Sequence, residues 1–331
     1  EIPEAAQLLG EFRGGQRLAH VQLERLRIHA CRQRPAAAFD LLRDAAVELL
    51  PARAVAELPP NTFLENLVVD ARGHAYVNSH VDGVVYRYRG GGKLEVFSLV
   101  PGKAAGIALH PKRGVLVAGA DAGGRATVFA VSQAGRVSVV GVLPEAIFLN
   151  GMAQLDGEIY LIADSYKGVI WRFDANSGRS SVWLAHPMLT RADDKNPLPA
   201  ANGLKVRGRT VWVSNTARQT LLTIAVDASG NAAQPKVARE GVNIDDFVID
   251  SDGTLYGTTH VYNSLIRIAP DGTLATVAGA EQGMTGSTAV AFGRGRGDRR
   301  RLYVTTNGGM FMPPPGGVQP ARLVQIDSGL R

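Results

Sequence analysis

From Asn243 to Tyr256 the chain runs polar, apolar, turn, apolar. Asn243-Ile-Asp-Asp246 leads into Phe247-Val-Ile249, Ser251-Asp-Gly253 reverses direction, and Thr254-Leu-Tyr256 starts back. Short β-branched and aromatic runs broken by Asp-Gly or Arg-Gly pairs predict hairpins of short strands. The unit recurs near Leu67, Gly106, Gly151, Gly203, Asp246 and Thr288, a spacing of roughly 40 to 50 residues that suits a four-stranded propeller blade. A short alternating third strand follows in several units, as in Val84–Tyr88, Val169–Phe173 and Leu265–Ile268. The last unit ends at Leu323–Ile326 with no fourth strand after it. Residues 52–58 are therefore expected to supply that strand and close the ring without an exposed edge. The fold read from this pattern is all-β: a six-bladed β-propeller of four-stranded blades over residues 51–331.

Residues 1–50 break the pattern, being rich in Ala, Leu and Arg and free of glycine after Gly15. In the segment 38–50, Phe39, Leu42, Ala46 and Leu49 fall near one helical face. This predicts an N-terminal helical arm that packs on the propeller or on a second copy of the chain, so self-association through the arm is an expectation.

Because antiparallel strands alternate in direction, every lead-in to a first strand and every second-to-third turn opens on the same face. The longest connections, 185–201, 279–286 and 307–322, open there as well, whereas the Arg294–Arg301 excursion lies opposite. Loops on one rim of a rigid scaffold are where binding usually resides. The positions just before the first strands are Glu65-Asn66, Ala105, Asn150, Asn202, Asp245-Asp246 and Ser287, and all should converge on the central channel. A single Asn or Asp at such a place is an ordinary turn cap. Carboxylates and carboxamides at matching registers of four repeats instead suit a hard divalent cation such as Ca²⁺, which gathers oxygen ligands from irregular geometry. Zinc would call for His or Cys, which these positions lack.

These residues carry a resemblance to a family, the six-bladed propellers of the senescence marker protein 30, gluconolactonase and paraoxonase group. Its marks are Phe63-Leu-Glu-Asn66, Leu149-Asn-Gly-Met152, Ala201-Asn-Gly-Leu204 and Ile244-Asp-Asp-Phe247, and it spans about residues 52–331. The resemblance implies a Ca²⁺ or similar ion in the channel, held by Glu65, Asn150, Asn202 and Asp245, and the hydrolysis of lactones or related esters. Two positions depart from the paraoxonase pattern: Ala105 and Asp121 stand where a histidine pair would be. The departure moves any base role to a carboxylate, with Asp245, Asp246 and Asp121 as candidates. Asp246 adds a negative charge beside the expected ion.

The second-to-third turns carry His80, Asp121, Asp164, Asn215, His260 and Asn307. His260 and His80 are candidate acid or base groups, although a turn histidine is more often a hydrogen-bonding rim residue. Met284, Met310, Phe311 and Met312 form either an apolar lid or the packing that tucks two rim loops down. The net charge of +6 comes from scattered arginines rather than a basic stripe interleaved with aromatics, so no nucleic-acid partner is expected. No apolar run is long enough for a membrane span, no signal-peptide pattern is visible, and Cys31 is the only cysteine. The compartment stays open between cytoplasm and secretion. The reading is a metal-dependent hydrolase of a small-molecule lactone or ester. A non-hydrolytic biosynthetic enzyme (isomerase, cyclase or strictosidine-synthase-like) and a non-catalytic binding propeller are the rival readings.

Overall fold

Twenty-five strands carry the described fold. The computed structural model describes residue 42 and residues 45–193 and 195–328, so most of the expected arm, residues 1–41, 43 and 44, lies outside the described residues. In chain order, β1 (Ala46–Val47) and β2 (Ala52–Pro60) precede the first blade, formed by β3 (Leu64–Val69), β4 (Ala75–Ser79), β5 (Val84–Tyr88) and β6 (Leu94–Leu99). The second blade is β7 (Gly102–His110), β8 (Gly114–Asp121), β9 (Ala126–Val131) and β10 (Val137–Val142). The third is β11 (Leu149–Asp156), β12 (Ile159–Asp164), β13 (Val169–Asp174) and β14 (Ser180–Ala185). The fourth is β15 (Ala201–Arg207), β16 (Thr210–Asn215), β17 (Thr220–Ala225) and β18 (Lys236–Glu240). The fifth is β19 (Phe247–Ile249), β20 (Leu255–Thr259), β21 (Ser264–Ile268) and β22 (Leu274–Ala278). The sixth contains β23 (Ser287–Phe292), β24 (Arg301–Thr306) and β25 (Pro320–Asp327).

The innermost strands touch in the cycle β3, β7, β11, β15, β19, β23 and back to β3, so the six sheets form a closed ring. As expected from the missing last strand, β2 pairs antiparallel with β25 and completes the sixth blade. Arg53 reinforces this closure by donating from Nε and Nη2 to Gln325 Oε1 at 3.1 and 2.8 Å.

The helical reading of residues 38–50 fails at its described end. Ala46–Val47 is β1, paired in parallel with β22 through Ala46–Ala275 and Val47–Thr276. The N–H groups of Glu48 and Leu50 continue the ladder onto Thr276 O and Val277 O. An outer strand offers a row of unpaired backbone groups, and saturating them outweighs a short apolar period that merely suits a helix. Among the described residues there is no α-helix, only short 3-10 turns at 187–189, 260–262 and 280–282.

Packing follows the ring. Leu116, Val128, Tyr160 and Trp171 fill the joint between the second and third blades, and Ile170, Leu204, Val213 and Ile224 fill the next. Each joint of the ring has its own apolar cluster. Near the channel the contact is backbone on backbone. A Cβ on Gly106 would collide with Asn150 O, one on Gly151 with Asn202 O, and one on Gly203 with Asp245 O. The Asn-Gly pairs at 150–151 and 202–203 are therefore strand residues whose glycine admits the neighbouring blade, and not turns. The polar ends differ in role: on the face opposite the lead-ins, Asp250 Oδ1 accepts from the N–H groups of Asp252, Gly253 and Thr254 and pins the hairpin.

Replacing Gly151 by Ala is expected to cost on the order of 1–3 kcal/mol, because the added methyl forces two inner strands apart. Chemical denaturation of Gly151→Ala beside Gly316→Ala, a turn position with open space around it and no left-handed backbone, measures this. Equal losses in the two variants would show that close approach is not the constraint.

Candidate functional site

A pairing irregularity falls at the same register of the inner strands, between Leu64 and Asn66, Ala104 and Gly106, Leu149 and Met152, Ala201 and Leu204, and Ser287 and Ala289. In the fifth blade Thr258 faces two residues at once: Asp245 N–H donates to Thr258 O and Thr258 N–H donates to Asp246 O. Such bulges re-aim one side chain out of the sheet. The residues at these irregularities are Glu65, Ala105, Asn150, Asn202, Asp245 and Thr288. The sixth position is thus Thr288 rather than the expected Ser287. Its hydroxyl is spent on Leu64 O at 2.8 Å and on Thr305, which ties the sixth blade to the first. Related links join other blades, from Asn78 Nδ2 to Ala105 O and from Ser214 Oγ to Asp245 O.

Glu65, Asn150, Asn202 and Asp245 are all buried. Asn202 Nδ2 donates to Asp245 Oδ1 at 2.5 Å and to Thr216 Oγ1 at 3.0 Å. Asn150 Nδ2 donates to Ser165 Oγ at 3.3 Å, and Ser165 in turn holds Ala201 O. Glu65 makes no hydrogen bond or ion pair among the described residues. Burial, followed by the carboxylates of Asp245 and Asp246, holds its carboxyl well above the usual carboxylate range. Asp245 is thus within electrostatic reach of Glu65 as well as in contact with Asn202. The donor set mixes carboxylates with carboxamides. Among the described residues no group of three or more His, Cys, Asp and Glu side chains forms a metal cage by itself.

His260 meets Asp245 from the rim, its Nδ1 lying 3.1 Å from Asp245 Oδ2. On its other side Asn307 Nδ2 is 2.7 Å from His260 Nε2. The Asn307 amide is oriented by its oxygen, which accepts from the N–H groups of Gly309 and Met310. Its nitrogen therefore faces the ring as a donor, Nε2 accepts, and the proton of the neutral imidazole sits on Nδ1 toward Asp245.

The other expected acids are engaged elsewhere. Lys205 Nζ contacts both oxygens of Asp246 at 2.7 and 2.8 Å. Burial pushes the Asp246 carboxyl up and Lys205 opposes that push. Asp121 caps its own turn, accepting from the N–H groups of Gly123 and Arg125 and from Arg125 Nε, and these bonds hold its carboxyl below the usual range. Asp164 accepts from the N–H groups of Ile147 and Phe148, and Asn215 donates to Met188 O and Thr190 O. His80 Nδ1 lies 3.0 Å from Ala104 O. Met284 is fully buried in the core between the fifth and sixth blades, so it is no part of a lid, whereas Met310, Phe311 and Met312 are half-buried on the rim. Lys205 went unremarked in the sequence because its partner lies 41 positions away.

A sequence model described as the SMP-30/Gluconolactonase/LRE-like region matches residues 182–308. That stretch is similar to an SMP-30/Gluconolactonase/LRE-like region. It holds Asn202, Asp245, Lys205, His260 and Asn307, and the resemblance read from the four channel motifs stands. The chain is similar to a Sarocladium schorii protein named "Putative hetero-Diels-Alderase asR5", 26% identical over 212 residues, which are 54% of this chain and 52% of that protein. The chain thus spans about half the length of that relative. The calcium-binding protein regucalcin of Agrobacterium tumefaciens has the same fold, with a TM-score of 0.65 at 17% identity over 86% of this chain and 97% of its own. A structure titled as a putative gluconolactonase superposes with a TM-score of 0.64 at 15% identity, covering 88% and 96% of the two chains.

The Asn307 amide fixes the imidazole tautomer, so nitrogen-detected NMR of the wild type is expected to show His260 protonated at Nδ1. Asn307→Ala should redistribute the proton toward Nε2. An unchanged ring signature in that variant would mean that Asp245 alone sets the tautomer.

Proposed function

We propose that the protein hydrolyses a lactone or related ester, with a divalent cation, Ca²⁺ by donor chemistry, held by Glu65, Asn150, Asn202 and Asp245. The observation that carries this reading is the set of oxygen-bearing side chains that four blades present at one register, among them a buried Glu65 carboxylate with no cation partner among the described residues. Hard oxygens from separate blades and surplus negative charge fit such an ion. The SMP-30/Gluconolactonase/LRE-like region supports the reading.

A cation bound there would polarise the substrate carbonyl and stabilise the oxyanion that forms as water attacks. The chain's own groups set the rest. Asn202 fixes one oxygen of Asp245 while His260 stands against the other, so the carboxylate is oriented before the substrate arrives. Asp245 is the proposed base: it takes a proton from water as the water oxygen bonds to the carbonyl carbon. The ring C–O bond then breaks, and the departing alkoxide takes the proton that Asp245 holds, which returns Asp245 to its ionised form. Asp246 is assigned instead to Lys205, and Asp121 to Arg125, so neither is given the base role. His260, with Asn307 on its Nε2, serves as a positioning residue.

The name of the Sarocladium schorii relative supports a second reading, a ring-forming biosynthetic enzyme on the same scaffold. Turnover separates the two. Asn202→Ala is expected to lower lactone hydrolysis by roughly 100-fold, as loss of an orienting group at a metal site does, and a proton-release assay reads it. Wild-type protein inert toward sugar, acyl-homoserine and aromatic lactones would favour the ring-forming reading.

Addition of Ca²⁺ to chelator-treated protein is expected to raise the melting temperature by several degrees, because the ion binds the folded state alone. Glu65→Gln should abolish the increase. A Glu65→Gln protein that responds like wild type would place the ion elsewhere.

A further inference from the structure

Above the carboxylates the channel mouth is built of aromatic rings. Phe63 precedes Glu65 by two residues, and its ring meets His80, His260 and Phe311 edge to face, with centroids 5.4, 5.9 and 5.2 Å away. His260 also meets Phe311 at 5.4 Å, and His80 meets Phe148 at 5.7 Å. Phe148 then contacts Tyr166 at 5.2 Å, which completes a continuous belt drawn from four blades. Phe63 and His80 are buried and form its floor, while Phe148, Tyr166, His260 and Phe311 are half-buried and keep accessible surface. Ile147, beside Phe148, is 62% exposed on the same rim.

Asp164, Asn307 and Asn215 at this mouth are spent on holding the rings and their loops, and the Arg191 guanidinium lies over the Tyr166 ring, 5.1 Å from its centroid. Asp164 uses its oxygens to hold the backbone of Ile147 and Phe148. Asn307 holds the backbone of Gly309 and Met310, just before Phe311, and its remaining nitrogen lies on His260. Asn215 pins the 185–201 loop through Met188 O and Thr190 O. A polyhydroxylated ring needs donors and acceptors free to replace its water, and a site that leaves hydroxyls unpaired rejects it. A flat apolar ring needs edges and faces, which this belt supplies.

We infer that the substrate carries an apolar, planar ring or conjugated system that lodges in the Phe63, Phe148, Tyr166 and Phe311 belt, so that polyhydroxylated sugar lactones are not its class. The inference rests on the channel being the substrate site, as proposed above, but not on the reaction being hydrolysis.

The test is calorimetric binding to the full chain of two non-hydrolysable cyclic ethers that match the competing classes: chroman, a benzo-fused six-membered ring, and 1,5-anhydroglucitol, its polyhydroxylated counterpart. Chroman should bind roughly tenfold tighter or better, and Phe311→Ala and Phe148→Ala should each weaken chroman by several-fold while leaving the polyol unmoved. Thermal unfolding of both variants confirms that they fold, and the half-buried Tyr166→Ala replaces either one that does not. Equal or tighter binding of the polyol, or chroman binding indifferent to all three substitutions, overturns the inference. Chroman binding that depends on Phe311 in a protein with no lactone turnover keeps this inference and rejects hydrolysis. Sugar-lactone turnover without aromatic preference does the reverse.

Discussion

The backbone-to-backbone approach of the inner strands is the constraint on which the site depends. Where Gly151 admits Asn202 O and Gly203 admits Asp245 O, the bulge on each strand is held against the next blade rather than left to a loop. Side chains carried there inherit the rigidity of the ring, which is what a binding constellation requires of its scaffold. Hydrogen bonds such as Ser214 Oγ to Asp245 O and Thr288 Oγ1 to Leu64 O lock the same seam from the side. Fold and site are thus two uses of one contact: the glycine serves the packing and the residue before it serves the channel.

The repeat made most of this legible in the sequence. The strand, turn, strand unit around Asn243–Tyr256 and its five siblings gave the blade number, and the missing strand after Ile326 pointed to residues 52–58. The register of Glu65, Asn150, Asn202 and Asp245 was readable for the same reason, since equivalent positions in a ring must converge. What the sequence hid were relations that depend on closure. A bulge moves the register by one residue, which is why Thr288 and not Ser287 sits in the sixth position. Lys205 with Asp246 and Asn307 with His260 are 41 and 47 positions apart, and no local pattern joins them. The segment ending at Leu50 was misread because its apolar spacing fits a helix, while the deciding influence, the open edge of β22, lies more than two hundred residues away.

The acids of this chain divide into two chemical populations. Asp121 and Asp164 accept from backbone N–H donors and act as turn caps, so their charge is answered where it arises. Glu65, Asp245 and Asp246 are gathered inside, where water is scarce and like charges oppose one another, and Lys205 answers only Asp246. An interior arrangement of this kind costs stability unless something occupies it. That cost is the physical basis of the proposed ion, as the aromatic belt is the basis of the proposed substrate class.

Closure of the sixth blade has a consequence for how the molecule is made. Arg53 of β2 and Gln325 of β25 are 272 positions apart, so β2 must wait until the chain between them has been made before it finds its partner. Blades one to five can form in turn as local hairpins, but the ring stays an open arc until β25 is available to β2. Through that interval the edges of β3 and of the growing outermost blade are bare. The channel, which needs all six lead-ins, comes into existence only when the sixth blade joins the ring.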